Sequence, residues 1–244
     1  MDLHGLAKRS FGEHIEQNPY PGRGLALGRS AGGDAWLQAY WIMGRSENSR
    51  NRRFVADGGA LRTEPVDASR LADASLVIYE AMLELPGVYL VSNGDQTRTL
   101  RDALAAGGRF EDALATRERE PDAPHYTPRI SGMLDLRGAA PALALSILRA
   151  SFGDPAQTDR TTFRPAPPPP GFALGLTTYA GDGDPLPSFR GDPLWLPLEG
   201  TAEQVLERYW DALDRSNRIS LAVKRIPASA GGGGSTLLVR NRHG

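Results

Sequence analysis

The stretch that decides the fold is Arg23–Met43, "RGLALGRSAGGDAWLQAYWIM". Two apolar runs flank a Gly-rich turn at Ser30–Asp34, which predicts a β-hairpin. In the second run Trp36, Tyr40 and Ile42 alternate with Leu37, Ala39, Trp41 and Met43, so both faces of the strand are apolar. Such a strand belongs in a sheet covered on both sides. Working outward, "SLVIY" (75–79) and "GVYLVSNG" (87–94) read as strands. "TRTLRDALAAGG" (97–108) and "FEDALATRERE" (110–120) read as helices, the first stopped by Gly107–Gly108 and the second by Pro121. "RISGMLDLRG" (129–138), "ALALSILRAS" (142–151) and "FALGLTTYAG" (172–181) return to strand-like patterns. "TAEQVLERYWDALDRSN" (201–217) is an amphipathic helix with Thr201 as N-cap. "ISLAVKRI" (219–226) and "STLLVRN" (235–241) pair across the loop "PASAGGGG" (227–234). Paired strands with a few separate helices predict an α+β protein with helices layered on antiparallel sheets. The proline-rich run "RPAPPPPGF" (164–172) reads as a surface connection within one domain spanning 1–244, because neither side alone makes a complete core.

The balance of 28 basic and 29 acidic residues gives a net charge of −1, so no global field draws in nucleic acid or a membrane. Only Lys8 and Lys224 are lysines, and the remaining 26 basic residues are arginine, so local clusters carry more information than the total. There are no cysteines, which excludes disulfides, thiolate zinc sites and cysteine nucleophiles. The start, "MDLHGLAKRSFGEH", lacks an apolar signal region, and no run is long enough to span a bilayer, so a cytoplasmic protein is expected.

Several weak patterns yield to plainer readings. "GRGLALG" (22–28) carries its last glycine one position too late for a dinucleotide fingerprint and precedes a strand instead of a helix. His4, His14, His125 and His243 are scattered without metal-ligand spacing, and no metal site is expected. "DGDPLPSFRGDP" (182–193) has Asp182, Asp184 and Asp192, but proline breaks any calcium-loop pattern and leaves a turn-rich loop at the rim of a site. No G-x-S-x-G elbow is present.

The chemistry concentrates in four polar segments at strand ends or between elements: "YPGRG" (20–24), "GRSENSRNR" (44–52), "VSNGDQTRT" (91–99) and "TREREPDAPHYTPRI" (116–130). Any one alone reads as a solvated loop. Together they supply guanidinium forks for a phosphate dianion, with Asn and Ser side chains for ribose hydroxyls and base edges. Backbone N–H groups in "NGDQT", just before a helix, suit an anion or a developing oxyanion. Glu118, Glu120 and Asp122 offer a proton acceptor. The residues therefore predict a site for a phosphorylated polar small molecule.

The combination "YPGRG … AYWIMGRSENSRNR … LVSNGDQTRT … YTPRI" resembles the archaeal-type IMP cyclohydrolase family and its bacterial branch. That resemblance implies a four-layer αββα sandwich like that of N-terminal-nucleophile hydrolases, without their nucleophile; this chain begins Met1-Asp2, with no Cys, Ser or Thr to expose. The implied reaction closes 5-formamidoimidazole-4-carboxamide ribonucleotide to IMP with loss of water, without metal, redox cofactor or ATP. The implied partner is a small purine nucleotide, with homo-oligomerisation left open. Arg23, Arg45, Ser46, Asn51, Arg52, Ser92, Asn93, Gly94, Thr97, Thr127, Pro128 and Arg129 match family motif positions, and Tyr126 precedes Thr127. Arg45 and Arg52, with Arg23 third, are expected to take the phosphate.

Tyr79 resembles a family tyrosine and is the leading proton donor to the formyl oxygen, with a core tyrosine as the competing reading. Glu120 is the preferred base, with Glu118 and Asp122 open as alternatives. The chain departs from the archaeal pattern in its length, its proline-rich segment and Glu47-Asn48-Ser49 inside the arginine motif, which leaves the heterocycle open. The alternatives are cyclisation or amide hydrolysis of a related heterocyclic nucleotide, or a purine-nucleotide-binding protein without catalysis.

Overall fold

The computed structural model describes residues 2–70, 77–228 and 234–243. In chain order the elements are α1 (Leu3–Phe11), β1 (Gly24–Arg29), β2 (Ala35–Met43), α2 (Glu47–Arg50), β3 (Arg53–Asp57), β4 (Ala60–Glu64), β5 (Glu80–Leu85), β6 (Val88–Ser92), α3 (Gln96–Ala105) and α4 (Phe110–Ala115). There follow β7 (Arg129–Asp135), β8 (Ala142–Ala150), β9 (Thr158–Phe163), β10 (Phe172–Thr177), β11 (Leu194–Pro197), α5 (Ala202–Ala212), β12 (Arg218–Pro227) and β13 (Thr236–Asn241). One six-stranded antiparallel sheet runs β11-β10-β1-β2-β12-β13, and a seven-stranded one runs β3-β4-β5-β6-β7-β8-β9.

The Arg23–Met43 hairpin forms the middle of the first sheet, with Gly24 opposite Trp41 and Arg29 opposite Trp36. Every residue of β2 is buried, as its two apolar faces require. Its outer face meets the helices: Tyr209 of α5 packs edge-on against Phe11 of α1 at 4.9 Å and lies 6.1 Å from Trp41. Its inner face meets the second sheet, where Tyr40 stacks on Phe54 of β3 at 5.4 Å. Gly132 of β7 lets the sheets approach, because a Cβ there would stand 2.8 Å from Leu27 Cδ1. On the far side of the second sheet, Leu100, Leu104, Phe110 and Leu114 of α3 and α4 cover Val88, Leu90 and Met133. Each such side chain contributes about 1.5–3 kcal/mol on burial, enough to seat two short helices. The result is the expected αββα order. Among the described residues no helix is long and apolar enough to cross a membrane.

Three differences from the sequence reading have physical causes. Ser75 and Leu76 of "SLVIY" fall outside the described residues, and Val77–Tyr79 are not in the strand, which starts at Glu80. The Thr63 hydroxyl donates to the Val77 carbonyl at 2.6 Å and accepts the Tyr79 N–H at 2.9 Å, so a side chain takes over part of the ladder there and leaves one main-chain bond, from the Thr63 N–H to the Tyr79 carbonyl at 3.0 Å. The helix α4 ends at Ala115, well before Pro121. Thr116 turns its hydroxyl back to the Ala113 carbonyl at 2.7 Å, and the residue preceding Pro121 is biased towards extended backbone. Finally α1, the β3–β4 hairpin, β9 and β11 are additional elements; β9 reads "TDRTTF", only partly buried, and gives no alternation to detect.

Candidate active site

The strand directions bring one set of ends together: the start of β1, the ends of β2 and β10, and the loop that leads into β7. There lies a cleft of about 240 Å³ whose walls include Tyr20, Arg23, Arg45, Arg52, Asp122 and Tyr179. Gly22 (φ 74°) makes the corner before β1 possible, because a Cβ would sit 2.2 Å from Thr178 Oγ1. The next residue, Arg23, is pinned by its N–H to Thr178 Oγ1 at 3.1 Å and points its guanidinium inward.

Arg23 Nη1 lies 3.2 Å from Glu120 Oε2, and the two side chains are 12% and 2% exposed. The early end of α4 is what delivers Glu120: the chain leaves regular structure after Thr116, and the Glu120 N–H binds the Thr127 carbonyl at 3.0 Å. Burial raises the carboxyl above its ordinary value, partly offset by Arg23. Burial also works against the charge on Arg23, but surrounding groups led by Glu120 reverse this and raise it. Below the pair Tyr79 and Tyr40 share a hydroxyl–hydroxyl bond of 2.7 Å, both buried.

Arg52 is the other buried cation, 3% exposed. Its Nε and Nη2 donate to the Ser49 and Met43 carbonyls at 2.9 and 3.0 Å. No carboxylate pairs with it among the described residues. Burial lowers its pKa from the ordinary guanidinium value, and the charge of Arg23 acts in the same direction. Arg45 stands at the mouth, 5.0 Å over the Tyr20 ring and ion-paired with Asp182 of the turn-rich loop. Ser46 caps α2 by accepting the Ser49 N–H at 3.1 Å, and both serines line the cleft beside these arginines. The arginine-rich segment thus splits. Arg45 and Arg52 face the cleft, whereas Arg50 binds the Gly44 carbonyl at 3.0 Å and Arg53 starts β3.

The third wall is an ordered chain of hydroxyls. Asp122 accepts both the N–H (2.7 Å) and the O–H of Thr127, so the Thr127 oxygen is left to accept from Tyr179 at 2.5 Å. Tyr179 stacks on Tyr20 at 5.9 Å, and burial raises its phenol. His125 adds a stitch across the top, its Nδ1 accepting the Leu186 N–H at 3.1 Å.

Other residues expected at the site sit behind or outside these walls. Glu118 is largely exposed and paired with Arg160 and Thr158. Asn51 holds the backbone of Asp67 through two bonds of 2.7 and 2.8 Å. Asn93 bridges the Pro128 carbonyl and the Ile130 N–H, both at 2.8 Å. Ser92 bonds to Thr97, which also holds the Gly94 carbonyl at 2.9 Å, and Arg129 reaches Asp95 and Gln96 at 2.8 Å. Gly94 is hemmed in by that guanidinium, 2.5 Å from where a Cβ would stand. This second network fixes the turn before α3 against β7. The "NGDQT" turn carries the Asp95 carboxylate between Arg117 and Arg129. Tyr126 takes a positive φ of 43° under the Arg119 guanidinium. Tyr40, Tyr179, Ser49 and His125 are site groups that the sequence reading did not assign. For Tyr40 the available signal was its place on the inner face of β2, three residues before the end that opens into the arginines.

A family model described as IMP cyclohydrolase-like protein matches residues 20–230 of the chain. An IMP cyclohydrolase of Methanothrix thermoacetophila is 33% identical over 131 residues, which are 51% of this chain and 62% of that relative. The matched stretch therefore spans less than two thirds of the relative's length.

Proposed function

From the premise that this chain belongs to the IMP cyclohydrolase-like family, we propose that the cleft closes 5-formamidoimidazole-4-carboxamide ribonucleotide to IMP with loss of water. The observation that carries the reading is the unequal pairing of two buried arginines. Arg23 has Glu120, but among the described residues Arg52 has only carbonyls, so it is a buried cation that calls for an anion from a ligand. A ribonucleotide phosphate supplies it at Arg52 and Arg45, with Ser46 and Ser49 as further donors.

With the phosphate there, the heterocycle reaches the Arg23–Glu120–Tyr79 end. Holding carboxamide and formamide coplanar removes most of the entropy of attack. The carboxamide nitrogen bonds to the formyl carbon while Glu120 takes a proton from that nitrogen. The formyl oxygen gains a proton from the Tyr79 hydroxyl, beside the Arg23 charge. Glu120 returns its proton to the carbinolamine hydroxyl, which departs as water, and the former formamide nitrogen gives its proton to the Tyr79 phenolate, which completes the ring and restores both groups. A buried carboxyl raised above its usual range suits a group that must alternately accept and return a proton. Asp122 holds Thr127 and Tyr179 in one orientation along the wall. No step calls for a Lewis acid.

The test is incubation of the purified protein with the formylated nucleotide. IMP should appear by chromatography faster than in spontaneous closure, and chelator should not change the rate. Tight binding of IMP without acceleration would instead support a nucleotide-binding protein.

A further inference from the structure

We infer that Tyr40 is a positioning residue that donates its hydroxyl proton to Tyr79 and thereby commits the Tyr79 proton to the substrate; this rests on the functional reading above. The 2.7 Å bond between the two phenols can hold only one proton on the line between the oxygens. The other phenol must direct its proton elsewhere, and the surroundings decide which.

Tyr40 is 0% exposed, sealed between sheets with its ring on Phe54, and its hydroxyl has no second hydrogen-bond partner among the described residues. Were Tyr79 the donor, the Tyr40 proton would be buried without an acceptor, an arrangement that proteins avoid. With Tyr40 as donor nothing is left unsatisfied on its side. Tyr79 then accepts one bond and keeps its own proton for a further acceptor beside Arg23 and Arg52, the two cations of the cleft wall that it neighbours. Its backbone is held by Thr63, whose hydroxyl accepts the Tyr79 N–H at 2.9 Å and whose N–H donates to the Tyr79 carbonyl at 3.0 Å, which fixes where the ring enters.

A phenol that accepts one hydrogen bond is a better donor for the next, because aligned bonds polarise one another. The sequence order thus builds a two-step chain, Tyr40 to Tyr79 to formyl oxygen. Tyr40 itself touches no substrate.

The test has two arms. In protein labelled at tyrosine Cζ, the slowly exchanging hydroxyl proton shared by the pair should correlate through bonds with Tyr40; correlation with Tyr79 overturns the inference, whatever the activity. In kinetics Tyr40→Phe should lower kcat roughly 10-fold with KM within about 2-fold. Added to Tyr79→Phe, the same change should cost less than about 2-fold, because the proton it orients is already gone. An additive loss in the double variant, or a rise in KM without a fall in kcat, assigns Tyr40 a packing role and overturns the inference. Should the parent protein fail to form IMP, the functional reading falls, while the labelled-tyrosine measurement still decides the direction of the bond.

Discussion

If the proposed phosphate assignment holds, removing Arg52 separates phosphate recognition from every other kind of binding. The structure sets the expected size. Two of its guanidinium nitrogens are tied to main-chain carbonyls at 2.9 and 3.0 Å, which fixes the fork before ligand arrives. The third, Nη1, has no partner among the described residues and is the one left for a phosphate oxygen. A charge-assisted hydrogen bond of this kind contributes about 1.5–3 kcal/mol, or roughly 10- to 150-fold in Kd. Arg45 should matter less, because its side chain is 33% exposed and already shared with Asp182. An exposed pair contributes about 1 kcal/mol or less, so Arg45→Ala should weaken IMP no more than roughly fivefold. Titration calorimetry with IMP and with inosine is the assay. Inosine has no phosphate, so its affinity should change less than about 2-fold in either variant. Arg52→Ala also strands the Met43 and Ser49 carbonyls, and a melting curve must accompany it to show that the fold persists. Arg52→Lys keeps the charge without the planar fork and should restore only part of the affinity. Equal weakening of IMP and inosine would refute the phosphate assignment.

Four further outcomes follow from the chemistry end of the cleft. Tyr79→Phe should leave IMP affinity nearly unchanged while kcat falls roughly 100-fold, the scale for losing an oxyanion donor. Glu120→Gln should abolish the acidic limb of the pH–rate profile, and in the parent that limb should lie above the ordinary carboxylate range. The same raised carboxyl has a stability consequence whose sign is fixed. The folded state holds the Glu120 proton more tightly than the unfolded chain, so this group's contribution falls as pH rises from the ordinary carboxylate value through the raised one; denaturant titrations across that window should lose this component in Glu120→Gln. Glu118→Gln should turn over at the parent rate, because Glu118 lies outside the cleft with Arg160, whereas Asp122→Asn should impair turnover by releasing Thr127 and Tyr179.

The hairpin at 23–43 made the layered fold legible because burial on both faces leaves its mark on every residue of a strand. Helix α5 was legible for a similar reason: its Thr201 cap and apolar stripe are local, and the structure pairs Thr201 with Gln204 in a capping box. The edge strand β9 buries too little to leave a pattern, and β11, although mostly buried, is four residues long, too short to show one. The site was legible in its arginines and its acidic segment, since these types are expensive to bury without a task. Which carboxylate enters could not be read from composition: Glu118 and Glu120 are two residues apart, which a regular strand would place on one face, and only the irregular path after α4 leaves Glu118 in solvent with Arg160 and Glu120 in the core. Tyr40 and Tyr179 were hidden because a buried tyrosine in a strand reads as packing until its hydroxyl's partner is known. Asn93, Thr97 and Arg129 show the converse, polar motif residues whose bonds are met within the protein.

The orientation of the nucleotide, phosphate at Arg52 and heterocycle at Glu120, is tested most directly by a crystal structure of the protein with IMP bound. The phosphate oxygens are expected within hydrogen-bond distance of Arg52 and Arg45, and the purine C2, the former formyl carbon, should face Tyr79 and the Arg23–Glu120 pair. An inverted nucleotide with its phosphate on Arg23, or IMP held in a different cleft, would contradict both the binding and the catalytic assignments.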